Sequence, residues 1–94
     1  MDKAEARTLA LARLRELRDV SWTELRERYL DNDETVEVTG SSGVVYQVET
    51  QAFWDAAKEG DIRVLVSVDD GGWSAFAPLG VAFILAPDGR FVGE

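Results

Sequence analysis

An α+β fold, with an N-terminal helix pair packed on a four- or five-stranded antiparallel sheet, is predicted by two changes along this sequence. Apolar residues recur at three- and four-residue spacing as far as Leu30, and at two-residue spacing from Thr35 onward. The charge changes at the same place: residues 1–30 carry net +1 and residues 31–94 carry net −9. A chain of 94 residues buries roughly 60–65% of the surface its unfolded form exposes, so one core serves one domain spanning 1–94. Within it, 1–30 is the helical segment and 35–94 the β-rich acidic segment.

Residues 3–18 read as the first helix. Ala10, Leu14 and Leu17, with Leu11 beside them, mark the buried side, and Arg7, Arg13, Arg15 and Arg18 occupy much of the rest. Ser21 and Glu24 form an S-x-x-E capping box, with Val20 and Leu25 placed to close a hydrophobic staple. The second helix therefore begins at Trp22, presents Trp22, Leu25 and Tyr29 on one side, and ends near Leu30 before Asp31-Asn32-Asp33.

The strands follow. Val36 and Val38, then Val44, Tyr46 and Val48, then Ile62, Val64, Val66 and Val68 alternate with polar residues. Gly40-Ser41-Ser42-Gly43 joins the first two as a hairpin. Asp70-Gly71 predicts a tight turn from Val68 to a strand beginning at Trp73, with Val66 opposite Ala75 and Leu65 opposite Phe76. Residues 51–60 admit two readings. In one, a helix is capped by Thr50, with Phe53, Ala56 and Ala57 on one side and Gly60 as its stop. In the preferred one, Thr50, Ala52 and Trp54 continue the strand of Tyr46 and Val48, and Asp55 to Asp61 form a loop. Past Pro78, which cannot donate to a ladder, the conformation of residues 79–86 is left open. Pro87-Asp88-Gly89 turns the chain, and Phe91 and Val92 return as a short strand or packed tail. Leu14, Leu17, Leu25, Trp54, Val64 and Val66 are the expected core. Both faces of such a sheet carry apolar residues, so the face away from the helices calls for the C-terminal segment or a second subunit, hence a possible homodimer.

Composition excludes several chemistries. Without His or Cys there is no ordinary neutral-pH proton shuttle, no thiol nucleophile, no zinc finger and no disulfide framework. Residues 1–18 intersperse Lys, Arg and Glu with Ala and Leu and match neither a signal peptide nor a membrane span. A cytoplasmic protein without cofactor or metal is expected. The acidic field disfavours nucleic acid and anionic lipid and favours a basic protein partner, although charge of this size also serves solubility.

Residues 43–94 resemble a small bacterial α+β protein type of unassigned function. The resemblance is carried by Tyr46-x-Val48-Glu49, Phe53-Trp54-Asp55, Ile62-Arg63-Val64, Asp69-Asp70-Gly71-Gly72-Trp73 and Pro78-Leu79. It extends through Phe83-Ile84 and Pro87-Asp88-Gly89-x-Phe91-Val92-Gly93-Glu94. It implies a coherent fold unit and no activity.

Among the constellations, Asp69 and Asp70 beside two glycines suit a turn better than a hard cation, since no EF-hand spacing accompanies them. Glu49, Asp55 and Asp69 are the carboxylates a glycosidase-like enzyme would draw on, but no spacing selects a pair. Ser41-Ser42 lacks both a nucleophile elbow and a histidine, and Gly40-x-x-Gly43 lacks the rest of a phosphate loop. Arg13, Arg15, Arg18, Arg26 and Arg28 superficially suggest a DNA-binding helix pair, but interleaved Glu16, Asp19, Glu24 and Glu27 make ion pairs on the helix surface the simpler account. Trp54 and Trp73 suit a ligand face less well than a core. The function expected is non-catalytic protein binding, of the immunity, antitoxin or inhibitor kind. The acidic residues Glu37, Glu49, Asp55, Asp69 and Asp70 would be its contacts. A small carboxylate-dependent hydrolase and the DNA-binding helix pair are the alternatives.

Overall fold

The computed structural model describes residues 1–72 and 77–94. Helix α1 spans Lys3–Leu17 and is capped by Asp2, whose carboxylate accepts the Glu5 N–H at 3.1 Å. Its buried side is Ala6, Ala10, Leu14 and Leu17, at helical spacing. Helix α2 (Trp22–Tyr29) starts where Ser21 Oγ accepts the Glu24 N–H at 3.1 Å, half of the expected capping box. The Glu24 carboxylate takes the Arg28 guanidinium at 3.3 Å. Leu25 and Tyr29 are the buried residues of α2.

Four antiparallel strands follow in the order β1-β2-β3-β4: β1 Glu34–Thr39, β2 Val45–Trp54, β3 Ile62–Asp69 and β4 Leu79–Leu85. The strand reading of residues 51–54 holds. Val48 lies opposite Val36 on one side and Val68 on the other, and Val64 opposite Ala52 and Phe83. Apart from Val36, which is 43% exposed at the sheet edge, these positions are buried against the helices, and with Tyr46, Thr50, Ile62, Val66 and Leu85 they make the sheet side of one core. Leu14, Leu17, Leu25, Val64 and Val66 are buried as expected. Trp54 is half-buried instead, because it lies at the end of β2 under the rim of α2, with its ring 6.0 Å from that of Trp22.

The pairing of β3 differs from expectation. Leu79, Val81 and Ala82 stand opposite Val68, Val66 and Leu65, where Trp73, Ala75 and Phe76 were expected. The expected strand start at Trp73, with Ala75 and Phe76, lies outside the described residues. The turn signal is real, since Gly71 has φ 84°. However, Asp69 Oδ1 accepts the Gly71 N–H at 2.8 Å and Asp70 Oδ1 the Gly72 N–H at 3.3 Å. These side chains take the amides that a two-residue hairpin would direct elsewhere. The six-residue change of register is even, so every residue of β3 keeps its expected face.

Past β4, Gly89 turns with φ 90° and Phe91 bridges to Leu85. Phe91 packs edge-on to Phe83 at 5.6 Å, beneath the Arg18 guanidinium 3.8 Å from its ring, and Arg18 holds Glu94 with two bonds of 2.7 and 2.8 Å. The C-terminal residues therefore pack on the helix side, and among the described elements none covers the opposite face of the sheet. No helix is long and apolar enough to cross a membrane, among the described residues.

Candidate binding surface

Strand alternation places the uncovered face at the odd-numbered residues of β1, β2 and β3 and the even-numbered residues of β4. Its rows run across the sheet: Glu37, Gln47, Asp69; then Thr35, Glu49, Ser67, Gly80; then Gln51, Leu65, Ala82; then Phe53, Arg63, Ile84. The face therefore carries Glu37, Glu49 and Asp69 toward one end, bounded by Thr39 and the exposed Val45, and Phe53, Leu65 and Ile84 around the Asp55-paired Arg63 toward the other. Glu49 is a diagonal neighbour of both Glu37 and Asp69, a relation that spans about 7–8 Å in an antiparallel pair. Glu37 accepts a bond from Gln47 at 3.3 Å. Phe53 remains 40% exposed, and Leu65 and Ile84 are half-buried.

Three of the five acidic residues expected to form the surface, Glu37, Glu49 and Asp69, thus share one face. Asp55 borders it, held by Arg63 through bonds of 2.8 and 3.0 Å. Asp70 departs from it: its carboxylate lies 3.7 Å from the Met1 amino group, at the start of α1. Among the described residues no group of three or more acidic side chains is arranged to hold a metal ion.

A second concavity lies on the other side of β1. Helix α1 crosses β3 and β4 more fully than β1, and this leaves a groove of about 290 Å³ walled by Leu9, Ala12, Val36, Val38 and Val48. Arg13 provides its polar part. It donates to Glu34 and Tyr29 at 3.0 Å, to Glu16 at 3.1 Å and to Thr50 at 3.3 Å. This network, and that of Glu5, were not foreseen from the sequence. The Glu5 carboxylate accepts from Ser42 Oγ at 2.6 Å, Tyr46 Oη at 2.8 Å, and Ser41 Oγ and the Ser42 N–H at 3.1 Å. Those donors, Ser42 first, hold its pKa down at about 2, and the Glu5 bond pushes the Tyr46 hydroxyl up to about 12. The only signal for either residue is its place beside the buried stripe of α1, adjacent to Ala6 and Leu14.

Compared with protein-family models, curated proteins and solved structures, the chain shows no significant match, and the surface is read from its geometry alone.

Proposed function

We propose that this protein is a non-catalytic binding module, acting in the cytoplasm, that engages a basic protein partner through the uncovered sheet face. An immunity protein, antitoxin or inhibitor is the kind of protein that works this way. The observation that carries the reading is the convergence of Glu37, Glu49 and Asp69 on one open face beside the apolar residues Phe53, Leu65 and Ile84. Neighbouring like charges repel, and among the described residues no cation stands in their rows. A cationic partner removes that repulsion and covers the apolar end at the same time.

Two further observations support this reading over its alternatives. For the hydrolase reading, two of the three candidate carboxylates are held in local contacts, Asp55 by Arg63 at 2.8 and 3.0 Å and Asp69 by the Gly71 N–H at 2.8 Å. For the DNA-binding reading, Arg13, Arg18, Arg26 and Arg28 are each ion-paired within the chain, to Glu34, Glu94, Glu59 and Glu24. Their charge serves the fold.

The test is capture of partners from a lysate of the source cell on the immobilised protein, in parallel with the triple variant Glu37→Lys, Glu49→Lys, Asp69→Lys. Capture of a basic protein should be lost with the variant and with salt of about 0.5 M, where the Debye length is only about 4 Å. Arg15→Glu, an exposed change on α1, should leave it intact. Equal capture by parent and triple variant, or capture of nucleic acid, overturns the reading.

A further inference from the structure

The free edge of β1 offers a different kind of contact from the face beside it. Gly40 donates its N–H to Val44 O at 2.8 Å and accepts the Gly43 N–H at 2.9 Å, and Gly43 has φ 90°. This is a turn closed by a glycine bulge, and it fixes the phase of the ladder. Counting back in twos, Val38, Val36 and Glu34 exchange hydrogen bonds with β2, opposite Tyr46, Val48 and Thr50. The N–H and C=O groups of Thr35, Glu37 and Thr39 therefore point outward from an edge that has no neighbouring strand among the described residues. Behind that edge lies the groove walled by Leu9, Val36, Val38 and Val48, with Val36 43% exposed.

We propose that β1 accepts an added strand from the partner, an extended segment in which apolar and basic residues alternate. Backbone pairing to Thr35, Glu37 and Thr39 supplies its hydrogen bonds. Every second side chain then enters the groove beside Val36 and Val38, and the intervening ones stand beside Glu37 on the acidic face. A second copy of this chain fits less well. Two-fold antiparallel pairing of β1 centred on Glu37 sets one Glu37 directly against the other, and a shift of two residues makes them diagonal neighbours, so like charges meet in each register. A segment carrying Lys or Arg at those positions meets the opposite charge. The inference rests on the functional reading for the sign of the partner's charge, and on the backbone of β1 for the mode of contact.

The experiment uses the full chain and three capped octapeptides: Val and Lys alternating, the same residues in two blocks, and Val and Glu alternating. Amide hydrogen exchange and side-chain methyl spectra are recorded for each. The alternating Val/Lys peptide should slow exchange at Thr35, Glu37 and Thr39 by about tenfold or more at saturation, and shift the methyls of Leu9, Val36, Val38 and Val48. The block peptide should bind at least about tenfold more weakly, because it cannot satisfy both sides of a strand. Thr35→Pro removes an outward N–H that the β1–β2 ladder does not use, so the fold persists while the protection at Glu37 and Thr39 is lost. Unchanged exchange at the three edge amides, with shifts confined to the surroundings of Glu37, Glu49 and Asp69, overturns strand addition and leaves the acidic-face reading intact. Equal slowing by the Val/Glu peptide overturns the basic occupant.

Discussion

Glu5 shows how one side chain can fix a loop distant in sequence. Its carboxylate gathers two serines and a tyrosine around the β1–β2 hairpin, and the backbone at Gly40 passes so close that a Cβ there would meet both Glu5 and Tyr46. Gly40→Ala should therefore destabilise by about 1–3 kcal/mol, as overpacking does. The lowered pKa of Glu5 sets the sign of a pH effect. Its contribution is fully present above the ordinary value of 4.5 and is lost as pH falls from there through about 2. Tyr46 acts at the other end, since its contribution is present below 10 and is lost as pH rises through about 12. Glu5→Gln should lower the urea midpoint near neutrality and narrow the gap to the parent at about pH 3. A gap that stays constant between those conditions would show that the hairpin does not depend on the ionised carboxylate. Arg13 is the counterpart beneath β1. Thr50 is 1% exposed and Tyr29 2%, so Arg13→Ala leaves two buried hydroxyls short of a partner and should cost about 1–3 kcal/mol in denaturation experiments.

At the scale of elements, periodicity decided most of what could be read in advance. The two helices, the cap at Ser21 and the hairpin at residues 40–43 each follow from local spacing, and the structure has them within a residue or two. Strand parity placed Glu37, Glu49 and Asp69 on one face. Turn chemistry was the weaker guide. Asp70-Gly71 does turn the chain, but the carboxylates of Asp69 and Asp70 can hold the turn's amides themselves, so the dipeptide says where the chain turns and not which later residues pair with β3. Asp70 left the expected surface for the same reason, because it belongs to that turn and not to the alternation of β3. Long-range contacts such as Arg13 with Thr50, or Arg18 with Glu94, leave no local signature, since any exposed-looking arginine on a helix flank would read alike. The helix faces are testable. Leu25 is fully buried and Leu14 nearly so, and truncating either to Ala should cost about 2–5 kcal/mol, measured as a shift in denaturation midpoint without a change in slope.

Among the described residues the molecule is a two-layer sandwich, its sheet covered by helices on one side except at the β1 groove and open on the other. Helices and C-terminal residues cover most of the first side by apolar packing and paired charges, and on the second side three carboxylates share a face with half-exposed Phe53, Leu65 and Ile84. At their diagonal spacing these exposed carboxylates repel one another by about a few tenths of a kcal/mol, screened by salt. Neutralising the central one should therefore act in two directions. Glu49→Gln relieves its repulsion with both Glu37 and Asp69, so the free protein should become more stable by a few tenths of a kcal/mol or more. The same change removes attraction for a cationic partner, so the association rate should fall while dissociation changes less. Salt makes the same division. Screening should weaken partner binding yet strengthen self-association through the apolar end of the face, since two copies meeting there bring their acidic ends together. Sedimentation equilibrium and binding kinetics over one series of ionic strengths measure both trends. Partner binding that is indifferent to salt, together with a Glu49→Gln protein no more stable than the parent, would assign recognition to the apolar end and leave the carboxylates as ordinary solvated charges.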